Sequence, residues 1–234
     1  HGPMDIILGA NGNPKAVELA HERAWNRFAV LLDELVQELP LLRMPVRGSA
    51  CPVRGPVAQG MWEACMPYES SFITPMAAVA GAVAQELAAC FAHGGVQRAW
   101  VNNGGDIALY LDVSQSARIG ICADMANLRV DSAKGELLTQ GQFEVHSAQP
   151  VRGVATSGWR GRSFSLGIAD SVTVLAATAA QADAAATVIA NAVNVQDPRI
   201  ARKPADQLKD DSDLGDIAVT VDVPRLEPEL VQRA

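Results

Sequence analysis

Ser171-Val172-Thr173-Val174-Leu175-Ala176, followed a few residues later by Ala182-Asp183-Ala184-Ala185-Ala186-Thr187, is the stretch that decides the fold. The first segment is rich in β-branched residues and predicts a core strand; the second belongs to an alanine-rich run that predicts a helix over 180–194. The same order opens the chain. Residues 4–10 (Met-Asp-Ile-Ile-Leu-Gly-Ala) read as a strand ending in the turn Asn11-Gly12-Asn13, and Asn13-Pro14 supplies an N-cap and a proline at N1. Val17, Ala20, Ala24, Phe28, Leu31, Leu35 and Leu39 then recur at three- and four-residue steps up to Pro40, the pattern of a long amphipathic helix. Asp5 opens one strand–helix unit and Asp170 the other. The expectation is an α+β fold of two β–α halves sharing one core, with no linker, so that residues 1–234 form a single domain.

Between these units, residues 43–60 carry prolines and glycines without periodicity and predict an exposed loop. Thr74-Pro75 repeats the cap-plus-proline signal, and the small residues Ala77, Ala78, Ala80, Gly81, Ala82 and Ala84 follow it. A glycine inside a helix costs about 1 kcal/mol in propensity, so this helix makes sense where another backbone or a ligand comes close. Residues 97–113 predict two strands joined at Asn103-Gly104-Gly105. Further short strands are expected at 117–122, 142–146, 151–156 and 217–223, with a polar, irregular stretch at 123–141.

The composition narrows the function. The 234 residues are 49% hydrophobic, 19% charged and only 5% aromatic, with a net charge of −7. That acidity argues against nucleic acid or an anionic membrane as a partner. A phosphate-bearing ligand would have to be held locally, by backbone N–H groups, a metal or a few arginines. No apolar run approaches the roughly 18 residues that a membrane span needs. Cys51, Cys65, Cys90 and Cys122 show no metal-site or disulfide spacing, which fits a reducing, cytoplasmic setting.

Three segments carry candidate chemistry. Asn103, Gly104, Gly105 and Asp106 form a glycine turn whose N–H groups can cradle an anion, or an ordinary hairpin turn. Thr156, Ser157 and Gly158, followed by Arg160 and Arg162, offer hydroxyls, a bare backbone and two cations suited to phosphate or carboxylate, or else a solvated polar turn. Asp183, Thr187 and Asn191 stand at i, i+4 and i+8, one polar stripe on an apolar helix. A carboxylate and a hydroxyl one turn apart suit Mg²⁺, with waters and a ligand phosphate completing the octahedron; the plainer reading is an aspartate favouring the helix dipole. Gly161-Arg-Ser163-Phe-Ser165 misses the GxSxG elbow. The segment from Lys209 to Asp216 resembles a calcium loop only in composition, because Leu214 stands where an acidic ligand is needed.

In order along the chain, Asn-Gly-Gly-Asp-Ile at 103–107, Ala-Thr-Ser-Gly at 155–158, Ser-Val-Thr-Val at 171–174 and Ala-Asp-x-x-x-Thr at 182–187 resemble the successive core motifs of the ApbE family, the FAD:protein FMN transferases. The resemblance covers roughly residues 72–194. It implies a T-fold-related α+β arrangement of two halves with a ligand cleft between them, Mg²⁺ on Asp183 and Thr187, and FAD or FMN along residues 103–106 and 156–158. Closer in texture is a sister group of compact ApbE-like proteins, through His-Gly-Pro-x-Asp at 1–5, Thr-Pro-Met-Ala-Ala-Val-Ala-Gly at 74–81 and the run at 156–170. Two departures stand out. The transferases carry a lysine in the glycine-rich helix, where this chain has Ala80, Gly81 and Ala82. They also carry a His-x-x-Asp-Pro-x-Thr-Gly segment, where residues 159–170 contain neither histidine nor proline.

The chain is therefore expected to carry out Mg²⁺-dependent transfer or hydrolysis on a flavin or other pyrophosphate ligand, to bind an anionic small molecule without catalysis, or to form a structural homo-oligomer packed through its alanine-rich helices.

Overall fold

Asn13 does what its sequence predicts. Its side chain accepts the N–H groups of Lys15 and Ala16, and α1 (Pro14–Gln37) runs from it with Ala20, Ala24, Leu31 and Leu35 buried. In this computed structural model, which describes residues 4–48, 50–121, 129–131, 136–210 and 212–234, α1 follows the edge strand β1 (Ile6–Gly12). A short turn, α2 (Leu39–Leu42), comes next. The predicted loop at 43–60 gives way at Pro56 to a further helix, α3 (Pro56–Cys65). Proline at N1 starts it, and six buried side chains, Met61 and Trp62 among them, outweigh the propensity cost of Gly60.

After a 3-10 turn at Pro75–Ala78 comes α4 (Val79–Ala89). Then β2 (Val96–Asn103) and β3 (Asp106–Leu111) form the expected hairpin. Gly104 and Gly105 both have positive φ, as a two-residue hairpin turn demands. The chain continues through β4 (Ser116–Ile121), β5 (Arg129–Asp131), β6 (Glu136–Leu138) and β7 (Gly141–His146), with β4 paired to β7 and β5 to β6. It then rejoins the main sheet as β8 (Gly153–Ser157) and β9 (Val172–Ala176). Helix α5 (Ala179–Ala192) follows, capped by the Thr178 hydroxyl, which accepts the Gln181 N–H. The paired strands β10 (Ala201–Pro204) and β11 (Ala218–Asp222) and the short helix α6 (Pro228–Arg233) complete the described elements. Cys122, His1, Gly2, Pro3 and most of the stretch predicted to be irregular at 123–141 lie outside the described residues.

The main sheet has five strands in the order β1-β2-β3-β8-β9, every neighbouring pair antiparallel. The two strand–helix units seen in the sequence thus stand at its opposite edges. Helix α4 packs against β2 and β3, and α5 against β8 and β9. Arg27 fastens α1 to α4: its guanidinium bonds Glu34 at 2.7 Å and Glu86 at 2.6 Å. The main core lies between the helices and the sheet, around Leu31, Met61, Leu87, Phe91 and Val101. The β4–β7 pair covers part of the opposite face, where Ile119 and Val145 join Leu109, Leu111 and Val154.

Helices α4 and α5 meet backbone to backbone. A Cβ on Gly81 would collide with the Ala179 carbonyl; Gly153 of β8 comes as close to the Thr178 carbonyl at the start of α5. Glycine is therefore required at 81, and this close crossing places the start of α4 beside the second turn of α5. Among the described residues, no helix is long and apolar enough to cross a membrane.

Candidate functional site

Helix α4 starts without a cap of its own. Ala78 stands at its N-cap position and has no side-chain oxygen to offer, while the first N–H groups of a helix lack intrahelical partners. Asp183 of α5 fills the gap. Its Oδ2 accepts the Gly81 N–H at 2.9 Å, and the Ala80 N–H bonds to it as well. The side chain that the sequence assigns to its own helix dipole or to a metal is thus also an acceptor for the neighbouring helix.

Asp106, the first residue of β3, joins it. It is 9% exposed, and its Oδ1 accepts the Thr156 N–H at 3.2 Å. Burial pushes the Asp106 carboxyl up to about 6, against the pull of that N–H. Asp183 is driven well above the usual carboxylate range, first by burial and then by the charge on Asp106, although two backbone N–H groups work the other way. Among the described residues, no lysine or arginine forms an ion pair with either carboxylate. The pair sits deep in the protein, and Asp183 keeps one face open. Cys65 lies in the same neighbourhood. Its thiol is buried and donates to the Thr74 carbonyl, and burial together with Asp183 pushes its pKa upward, which makes it an unreactive thiol.

Both carboxylates open onto a pocket of about 440 Å³, within the range of small-molecule sites. Of the residues proposed from sequence, Gly104, Asp106, Thr156, Ser157, Gly158, Arg162, Asp183 and Thr187 line it. Thr156 turns its hydroxyl away to Thr173, 2.9 Å distant. The Arg162 guanidinium lies over Gly104, where a Cβ would meet its Nη1 at 3.4 Å. Three candidates are engaged elsewhere. Asn103 donates from Nδ2 to the Ala80 carbonyl at 3.2 Å, locking the hairpin to α4. Gly105 forms the tip of the turn, its N–H on the Asn102 side chain. Arg160 stacks on Trp159 and pairs with Asp170 at 3.0 Å.

The pocket also holds residues that sequence reasoning misses. Thr74, expected to cap the helix it precedes, makes no such bond; its hydroxyl donates to Asp213 Oδ2 at 2.6 Å. Asp213, Leu214 and Lys209, from the segment that resembles a calcium loop only in composition, form one wall, with Arg43 and Phe72 nearby. Nothing in the sequence pairs position 74 with 213. The Thr74-Pro75 signal marks only where a helix begins.

The donor set can be tested against Mg²⁺. Among the described residues no three His, Cys, Asp or Glu side chains gather to hold a metal unaided. Mg²⁺, however, commonly takes one or two carboxylates and fills its octahedron with water and phosphate. Two neighbouring carboxylates without a cationic partner, with a hydroxyl at Thr187, fit that pattern. A cation would stabilise the charged forms that burial disfavours in both and that Asp106 further disfavours in Asp183.

The whole chain, residues 1–234, matches the family model described as AbpE bacteria. The chain is similar to several UPF0280 proteins. It is 33% identical to that of Methanothrix thermoacetophila over 165 residues, which cover 69% of this chain and 63% of the relative. It is 38% identical to that of Methanopyrus kandleri over 168 residues, 70% of this chain and 61% of the relative. It is 34% identical to that of Methanosphaerula palustris over 185 residues, 75% and 72%. For the relatives from Methanospirillum hungatei and Methanothermobacter thermautotrophicus, the match spans about half of their length, 47% and 50%. With its full length matched, the chain belongs to the AbpE bacteria family.

Proposed function

We propose that the pocket binds a phosphate-bearing anionic small molecule, a flavin nucleotide such as FAD or FMN, together with Mg²⁺. In this reading Asp183 and Thr187 supply metal ligands, with Asp106 beside them. The backbone of Ser157 and Gly158 and the Arg162 guanidinium hold the phosphate. The observation that carries the proposal is the buried Asp106–Asp183 pair, left without a cationic partner among the described residues and opening on a pocket of nucleotide size. Bound Mg²⁺ would neutralise phosphate charge there. The resemblance to the flavin transferases adds weight, because its metal and nucleotide motifs fall on the same pocket.

Binding, rather than transfer, is the activity proposed. The lysine and the His/Asp-Pro segment of the transferases have no counterpart at 80–82 or 159–170, so covalent flavin transfer to a threonine acceptor peptide is expected to be absent or very slow. Thermal melts with FAD, FMN and pyrophosphate, each with and without Mg²⁺, test the reading. At a ligand concentration about 100 times Kd, the melting temperature should rise by roughly 5–10 °C, and only when metal and ligand are both present. No shift with any of the three would overturn it.

A further inference from the structure

Asn191 lies two turns beyond Asp183 on α5 and lines the same pocket. Its amide is not free to rotate. Oδ1 accepts the Leu166 N–H at 2.8 Å and faces the Ser165 hydroxyl at 3.1 Å. A backbone N–H can only donate, so the atom facing Leu166 must be the oxygen, and the orientation of the amide follows from chemistry. The Leu166 segment is itself held firmly. Asn194 Nδ2 donates to the Leu166 carbonyl, the Ser165 carbonyl accepts the Thr220 N–H at 2.9 Å, and Gly167 lies so close to the Ala190 carbonyl that no Cβ would fit. With its oxygen committed, Asn191 has one group left to offer a ligand, the Nδ2 amino group, which has no partner among the described residues.

We infer that Asn191 Nδ2 is a specificity-determining donor of this pocket, reading a carbonyl or ring-nitrogen acceptor at the end of the ligand remote from its phosphate. Eight residues of helix separate Asn191 from Asp183, a rise of about 12 Å at 1.5 Å per residue. A ligand that meets both must therefore be elongated, anionic at the Asp183 end and an acceptor at the other. Phe164 and Leu166 line the pocket too and give the far end an apolar wall. The chemical class is a phosphorylated heterocycle; a bare phosphate or pyrophosphate is too short to span it. This inference rests on the proposed metal–phosphate reading and adds the feature that selects among phosphate ligands.

The test compares FMN and inorganic pyrophosphate, both with Mg²⁺, by calorimetric titration of the wild type and Asn191→Asp. The substitution keeps an oxygen for Leu166 and Ser165 but replaces the donor with an acceptor. Pyrophosphate reports any general effect of the added charge. FMN affinity should fall roughly tenfold or more, the scale of one lost hydrogen bond with an acceptor left unpaired, while pyrophosphate affinity falls much less. Equal losses for both ligands, or no loss for FMN, overturn the role assigned to Asn191. Failure of the wild type to bind either ligand overturns the metal–phosphate reading and this inference with it. If Asn191→Asp does not fold, Asn191→Ser carries the same comparison, because its hydroxyl can still serve the Leu166 N–H while the arm that offers Nδ2 is gone.

Discussion

Asp183 answers two demands at once, and its titration shows how. It caps α4 through the Gly81 N–H and faces the like charge of Asp106. Both carboxyls are raised above their unfolded values, so between those values the folded protein holds protons that the unfolded chain has released. Stability from this pair is therefore fully present below pH 3.8 and is lost as pH rises, through about 6 for Asp106 and through the raised value of Asp183. Asp183→Asn removes the Asp183 share of that loss. Melting temperatures of the two proteins should diverge progressively as pH rises from 4 to 8, the wild type falling faster. Added Mg²⁺ should stabilise the wild type more as pH rises, because a metal needs its ligands deprotonated. Parallel curves would contradict the raised Asp183 carboxyl. Asn103 is the opposite case, since its amide is used on the Ala80 carbonyl. Asn103→Ala should cost about 1–3 kcal/mol in urea unfolding and leave ligand affinity, measured on the folded fraction, nearly unchanged. The sequence makes Asp183 and Thr187 visible because helical spacing puts them on one stripe. It does not show Thr74 bonding Asp213, a contact between residues 139 positions apart with no local pattern to announce it.

Among the elements, those with local punctuation are legible in the sequence. Asn13-Pro14 marks the start of α1, the glycine pair at 104–105 marks the β2–β3 turn, and the β-branched run at 171–176 marks β9. Helix α3 is not legible, because Pro56 and Gly60 read as loop residues and its burial against the core is a tertiary matter. The two glycines of α3 and α4 make a matched test of that distinction. Gly81→Ala places a methyl group against the Ala179 backbone, where neither helix can yield cheaply, and should destabilise by about 2 kcal/mol or more. Gly60→Ala meets no atom within 4 Å and should stabilise by about 0.5–1 kcal/mol through helix propensity. Denaturant midpoints for both variants decide the matter; a neutral Gly81→Ala would mean that the α4–α5 crossing is looser than the backbone contact indicates.

On the scale of the whole molecule, the antiparallel order β1-β2-β3-β8-β9 gathers sequence-distant pieces at one place. The β2–β3 turn, the end of β8 and the second turn of α5 converge only because α4 and α5 lie side by side over the sheet. The order of the motifs along the chain anticipates this convergence. It does not anticipate the wall built by Lys209, Asp213 and Leu214, since that segment carries no pattern of its own. In a chain of net charge −7, an anionic ligand needs a local reason to bind, and the Asp106–Asp183 pair with Mg²⁺ would supply it. Calorimetric titration of FMN in the presence of Mg²⁺ into the wild type and Asp183→Asn is the most direct check, with a thermal melt confirming that the variant is folded. Asparagine keeps an oxygen for the Gly81 N–H and removes the charge. The account predicts Mg²⁺-dependent binding by the wild type and its loss in the variant; equal binding by the two proteins would contradict it.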